Sequence, residues 1–276
     1  MCPHCAVRFG HGRNGRVRAG IERRKLAAVE LRDTVCLVTG ASSGIGGATA
    51  RRLEDEGARV VPLGRDRDAI EQLPMASSAI VADLARDAEV ARAAEEAVAA
   101  FGRVDVLVNN AGIGWAGPLA EMESDDIKRL VAVHLLAPLL LTRGLLPGML
   151  ERRRGWIVNV GSIAGHVGVR EEAVYAATKG ALVTFSDSLR QELAGTGVGV
   201  TLVSPGVIDT AFFERRGSAY SRRRPKPLPP ERVADAIVDA IRRERAEVFV
   251  PRWLTLPARL RGAAPSVYRA LARRLS

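Results

Sequence analysis

Short runs rich in β-branched residues alternate with stretches of helical spacing along most of this chain. No other feature restricts the fold as tightly. Thr34–Val38, Arg59–Leu63, Ser78–Ala82, Val104–Val108, Trp156–Val160 and Val198–Val203 read as strands. Between them Ala48–Glu56, Arg67–Leu73, Asp87–Phe101, Asp125–Leu146 and Glu172–Leu193 carry apolar residues at helical spacing, the fourth with a kink expected at Pro138. Val233–Arg243 and Val248–Val250 add a last helix and strand. Strands that are apolar throughout are buried on both faces, and the crossovers between parallel strands are right-handed. The pattern predicts an α/β fold: a doubly wound parallel sheet of about seven strands with helices on both faces.

No internal repeat or linker divides this pattern, so residues 31–255 are expected to form a single domain. Residues 1–30 are rich in Gly and Arg without an apolar period. They are expected to be a disordered basic extension, with a short helix over Glu22–Leu31. Residues 256–276 read as a basic amphipathic tail, with a helix over Ser266–Leu275 that sets Val267, Leu271 and Leu275 apart from Arg269, Arg273 and Arg274. The net charge of +10 is uneven. Residues 1–33 carry 8 basic and 3 acidic side chains, residues 207–276 carry 16 and 7, and the middle carries 17 and 21. A mildly acidic core between basic ends, without interleaved aromatics, argues against a nucleic-acid-binding groove. The tail suits peripheral contact with an anionic membrane surface or, alternatively, a cover over a pocket or a partner subunit.

Three cysteines make no disulfide framework, so a reducing cytoplasm is the expected compartment. Cys2-Pro-His-Cys5, with His11 near it, lacks a second ligand pair at the right spacing, and no metal site is expected. The longest apolar run, Leu130–Leu141, is broken by His134 and Pro138, so a membrane-spanning helix is not expected. The N-terminus lacks the apolar core of a secretory signal.

Four places carry candidate chemistry. Gly40-Ala-Ser-Ser-Gly44-Ile-Gly46 lies between the first strand and its helix, where glycines let a backbone approach a pyrophosphate at the free N–H groups of a helix start. The second strand ends at Gly64-Arg65-Asp66. An acid there would hold the ribose 2′-hydroxyl of NAD, whereas Arg65 suits the 2′-phosphate of NADP, and Asp66 stands one residue from restoring the acid. Asp83 ends the third strand and Asn109-Asn110-Ala111-Gly112 the fourth, both at strand C-termini where an open α/β sheet holds its ligand. Lastly, Tyr175 and Lys179 stand at i and i+4 on one helix face, thirteen residues or more beyond Ser162. An ammonium beside a phenol favours the phenolate, so Lys179 is expected to lower the Tyr175 pKa. Ser162 can hold the same substrate oxygen.

Together TGASSGIG, NNAG, the Ser162–Tyr175–Lys179 set and Pro205-Gly206-Val-Ile-Asp-Thr210 resemble the short-chain dehydrogenases/reductases, from about Leu31 to about Val250. The resemblance implies a Rossmann-type sheet and an oxidoreductase that interconverts a carbonyl and an alcohol with NADP(H), NAD(H) being the alternative. It implies that Thr39, Gly40, Ser42, Gly44, Ile45 and Gly46 line the pyrophosphate, that Asp83 and Leu84 lie beside the adenine, and that Asn110, Ala111 and Gly112 pack along the cofactor. Val207 and Thr210 would lie near the nicotinamide carboxamide, in the cofactor-binding stretch that opens at Pro205 and Gly206. Ser162 would position the substrate, Tyr175 act as acid/base, and Lys179 bind the nicotinamide ribose. Where the family places an asparagine that props a water in the proton relay, this chain has His134, which can take that role or be a core histidine.

By the same resemblance Trp115, Gly165, His166, Val167, Phe212 and Phe213, with Tyr220, line an apolar substrate pocket under a lid in Glu214–Pro230. The resemblance also implies a homodimer or homotetramer packed through the helices that hold His134 and Tyr175. The competing reading is a regulatory protein that binds the cofactor with little or no turnover.

Overall fold

The computed structural model describes residues 30–217 and 225–275. Its centre is a seven-stranded parallel sheet: β1 (Val35–Thr39), β2 (Arg59–Gly64), β3 (Ile80–Val81), β4 (Val106–Asn109), β5 (Gly155–Val160), β6 (Val198–Pro205) and β7 (Glu247–Val250). Their order is β3-β2-β1-β4-β5-β6-β7, so the winding reverses between β1 and β4. Side chains alternate across the pleat. Cys36, Val38, Val60, Val106 and Val158 face one layer, which contains α1 (Gly44–Asp55) and α9 (Glu231–Arg242). Val35, Leu37, Val61, Leu107 and Ile157 face the other, with α3 (Asp87–Phe101), α5 (Ala137–Glu151) and α7 (Ala173–Glu192). Both faces are dry, which is why β1, β4 and β5 are buried at every position. The predicted α/β class and strand count hold.

Four local expectations change. The third strand shrinks to Ile80–Val81, because Ala76–Ser78 forms a 3₁₀ turn whose Ser78 hydroxyl donates to Val60 O at 2.7 Å. The helix expected to kink at Pro138 runs from α4 (Ser124–Val131) into α5 through a π-helical turn, Ala132–Leu136. There Ala137 N–H reaches back to Ala132 O, and the widened turn accommodates a proline that has no N–H to donate. This column, Ser124–Glu151, is long and apolar enough to cross a membrane by length and composition alone, a test that the inner helix of a folded domain also passes. It packs Ala137, Leu141, Leu145 and Met149 into the core, as such an inner helix does. After β7 come two helices where one was expected, α10 (Thr255–Ala263) and α11 (Pro265–Leu275).

The helix expected over Glu22–Leu31 lies almost wholly outside the described residues, as do Cys2, Cys5, His11 and Tyr220. Leu31 itself is buried in the core. Cys36 is a free thiol whose pKa burial pushes up to about 12, which keeps it unreactive.

Candidate active site

The winding reversal leaves a crevice at the C-terminal ends of β1 and β4, and two residues draw its edges together. Thr39 Oγ1 accepts the N–H groups of Asn110 and Ala111, each at 2.9 Å, while Asn110 Nδ2 donates to Thr39 O at 2.9 Å. Gly40 (φ 68°) follows, and a Cβ there would stand 2.9 Å from Ala111 Cα. At Gly46 a Cβ would stand 2.1 Å from Gly40 O, so this residue admits the return of the turn onto α1. Thr39 and Gly46 therefore shape the turn from behind, while Gly40, Ser42, Gly44 and Ile45 line the cleft. The first turn of α1 holds no acid, and Ser43 makes no side-chain cap to it. Exposed N–H groups at a glycine turn without an opposing carboxylate fit a pyrophosphate.

At the end of β2, a Cβ on Gly64 would stand 2.8 Å from the Ile70 side chain. No carboxylate is available at that position. Arg65 is exposed and lines the cleft. Asp66 also borders it, but its Oδ1 is engaged as the N-cap of α2 (Arg67–Glu71), accepting Ala69 N–H at 3.1 Å. Asp83 and Leu84 line the same end. Asp83 Oδ1 accepts Ala85 N–H at 3.1 Å, and Leu84 is buried. Asn110, Ala111, Gly112, Pro205, Gly206, Val207 and Thr210 line the middle, where the Thr210 methyl approaches the Gly44 position.

The acid/base candidates converge at the far end. Ser162 caps the short helix α6 (Ile163–Val167), its Oγ accepting Ala164 N–H at 3.1 Å. Gly165 sets this helix against α7: a Cβ there would stand 2.6 Å from the Lys179 backbone. That close approach sets the Ser162 hydroxyl where it lowers the pKa of the Tyr175 phenol. Burial pushes Tyr175 up to about 12, with Ser162 opposing, Glu172 adding and Arg216 opposing. Lys179 is pushed down to about 8 by burial, and its Nζ donates to Val160 O at 2.8 Å, 5.9 Å from the Tyr175 ring centroid. Desolvation dominates both groups, and Lys179 is not among the causes that set the phenol's pKa. A phenol that keeps its proton at neutral pH is a donor.

His134 sits in the π-helical turn, buried, with both ring nitrogens engaged. Nε2 accepts Ile113 N–H at 2.9 Å, which requires a lone pair there, so the proton is on Nδ1 and points to Thr178 Oγ1 at 3.2 Å. The Thr178 hydroxyl in turn donates to Tyr175 O at 2.8 Å. Burial and then the Lys179 charge hold the imidazole well below its usual pKa. The ring is a neutral bracket between the loop after β4 and the turn of α7 that carries Tyr175. With neither nitrogen free, a water-propping role finds no support in this arrangement.

Of the expected substrate residues, Val167, Phe212 and Phe213 line the cleft, and the Tyr175 and Phe212 rings lie 5.7 Å apart. Trp115, Gly165 and His166 do not line it. Trp115 lies against Gly117, Gly165 is taken up by helix packing, and His166 pairs with Ser204 Oγ at 2.8 Å and packs on Phe249. In their place stand Gly114, Ala116, Val169, Trp253, Leu254 and Pro257. Two arginines escaped the sequence reading because they belong to a charged, proline-rich stretch that resembles a solvated loop. Arg215, on α8 (Phe212–Arg215), brings both terminal nitrogens within 3.4 Å of Ser43 Oγ at the start of α1. Arg216 pairs with Glu172, both largely buried, and so ties α8 to the head of α7.

The whole cleft encloses about 1540 Å³. That exceeds the roughly 300–1,000 Å³ of a pocket for one small ligand and leaves room for two side by side. A glycine turn at the switch point of a parallel sheet, with a Ser–Tyr–Lys set at the other end of one cleft, defines a dinucleotide-dependent oxidoreductase. The chain belongs to the short-chain dehydrogenase family, whose model, described as "short chain dehydrogenase", matches residues 34–221. It is 34% identical over 267 residues to dehydrogenase/reductase SDR family member 7B of Rattus norvegicus, covering 89% of this chain and 82% of that protein. A Burkholderia phymatum short-chain dehydrogenase/reductase solved with NAD superimposes with a TM-score of 0.78 at 26% identity, over 86% of this chain and 96% of that one. A metagenomic short-chain oxidoreductase solved with NADP has a TM-score of 0.67 at 35% identity, over 79% and 97%. The protein is accordingly an NAD(P)-dependent dehydrogenase/reductase.

Proposed function

We propose that this enzyme interconverts a carbonyl and an alcohol on a hydrophobic substrate, with NADP(H) as cofactor and Tyr175 as general acid/base. The observation that carries the chemistry is that Tyr175, Ser162 and Lys179 line one cleft, with Lys179 one helical turn from Tyr175. When bound, the nicotinamide supplies or accepts a hydride. Ser162 and Tyr175 hold the substrate oxygen between their hydroxyls, and in the reductive direction Tyr175 Oη gives that oxygen its proton. Lys179 would hold the nicotinamide ribose. The glycine turn and the α1 N-terminus would hold the pyrophosphate, and Asp83 and Leu84 the adenine end.

Preference for NADP(H) rests on Arg65, which faces the cleft where Gly64 offers no carboxylate and Asp66 is engaged as a helix cap. NAD and NADP are both found in solved relatives. The apolar wall of Val167, Phe212, Phe213 and Leu254 favours a hydrophobic alcohol or ketone over a sugar. Homo-oligomerisation through the His134 and Tyr175 helices would cover Val131 and Leu136, apolar side chains exposed on that column.

A screen of NADPH oxidation over ketones, aldehydes, steroids and quinones, with Tyr175→Phe as control, tests the reading. Turnover of an apolar carbonyl that disappears in the variant supports it. Undiminished turnover in the variant would refute the acid/base assignment.

A further inference from the structure

Beyond β7 the chain changes character. Residues 248–276 contain six arginines and neither Asp nor Glu. The helices α10 and α11 form a hairpin held against the body at defined points. The Tyr268 hydroxyl donates to Val167 O at 2.9 Å, and the Arg261 guanidinium donates to His166 O. Both acceptors lie on α6, the helix that Ser162 caps. Outward, the segment exposes Trp253 at 51%, Leu256 at 69%, Val267 at 53% and Leu271 at 44%. Val267 and Leu271 stand at i and i+4 and form one stripe of α11. Arg252, Arg259, Arg261 and Arg269 are exposed among them. Inward, Trp253, Leu254 and Pro257 line the same cleft as Tyr175.

We propose that this hairpin docks on the surface of an anionic lipid bilayer and brings the mouth of the cleft to the lipid interface. Leucine, valine and an interfacial tryptophan beside exposed arginines match the chemistry of such a surface: apolar groups enter the acyl boundary and guanidinium groups meet phosphate and carboxylate headgroups. A second copy docked face to face would set arginine against arginine with no acid on the segment to balance them. The N-terminal residues 1–29 are no better an occupant, since they carry seven basic side chains and one acidic one. An anionic partner is required, and the helices are already folded against the body, so little ordering cost accompanies docking. The docking itself does not depend on the oxidoreductase reading. Only its benefit does, since an apolar substrate dissolved in the bilayer would then meet the cleft directly.

The test is co-sedimentation of the full chain with phosphatidylcholine vesicles, with and without phosphatidylserine, at low and high salt. Binding is expected only with phosphatidylserine, and salt should weaken it. Leu256→Ser with Leu271→Ser should lower the partition coefficient roughly tenfold, and Arg269→Glu at least roughly fivefold. None of these residues lines the cleft, so turnover of a water-soluble ketone and the melting temperature serve as controls for folding. Arg269→Glu, a surface charge change, keeps the test open if the double variant fails to fold. Absence of binding to phosphatidylserine vesicles overturns the proposal. So does binding that the variants leave unchanged but removal of residues 1–29 abolishes. Self-association of the wild type that the Leu256→Ser, Leu271→Ser variant loses would assign the face to a second copy instead.

Discussion

Replacing Lys179 by methionine should stabilise the fold at neutral pH while abolishing efficient turnover, and the stability gain should shrink as pH rises. Lys179 is 5% exposed, with one hydrogen bond, to Val160 O. Burial lowers its pKa from 10.5 to about 8. The unfolded chain therefore binds the proton more tightly than the folded one. A lysine with a depressed folded pKa favours folding above its unfolded value, and that contribution is lost as pH falls through the folded value. With 1.36 kcal/mol per unit, the penalty is about 3 kcal/mol at pH 7 and about 1 kcal/mol near pH 10. Methionine fills similar space, carries no charge, and forfeits one hydrogen bond worth about 1 kcal/mol. Urea unfolding of both proteins without cofactor, at pH 7 and pH 10, measures the difference. The advantage of the variant should fall by about 2 kcal/mol between the two conditions. Tyr175, which also titrates upward of pH 10, is present in both proteins and cancels to first order. An advantage independent of pH, or one that grows with pH, would refute a desolvated lysine at this position.

Tyr175→Phe should keep cofactor affinity and lower turnover by roughly 10²-fold or more, measured by NADPH oxidation. In the wild type the phenol holds its proton until pH approaches about 12, so reduction should not be lost through Tyr175 ionisation between pH 6 and 9. Arg65→Ala should weaken NADP binding by roughly 1.5–3 kcal/mol, about 10- to 150-fold by fluorescence titration, and leave NAD binding nearly unchanged; equal loss for both would remove Arg65 from the 2′-phosphate. His134→Asn, able to accept from Ile113 N–H and donate to Thr178, should remain active. His134→Ala leaves both partners unsatisfied and should lose about 1–3 kcal/mol of stability. Because the histidine pKa is depressed in the folded state, the wild type should also lose stability as pH falls below about 6.5, and the asparagine variant should lose less over that range.

Local chemistry was enough to read the architecture and the ligand-bearing ends of the strands. Short continuous apolar runs and the glycine spacing at Gly40, Gly44 and Gly46 specify a parallel sheet and a helix start open to an anion, whatever surrounds them. The i, i+4 spacing likewise puts Tyr175 and Lys179 on one face before any packing is considered. Their ionisation was a different matter: the sequence suggested a lysine that lowers its tyrosine, and burial moved both groups the other way. Desolvation depends on what long-range packing removes from water, and no local motif records it. Packing also decided the roles of Gly165, His166 and Trp115, which the family resemblance placed in the pocket and the fold used elsewhere. It made His134 a neutral bracket through partners twenty-one and forty-four residues away. And it turned two residues of a charge run, Arg215 and Arg216, into contacts with the starts of α1 and α7, since the direction of a loop side chain follows from where the loop lands and not from its neighbours in sequence.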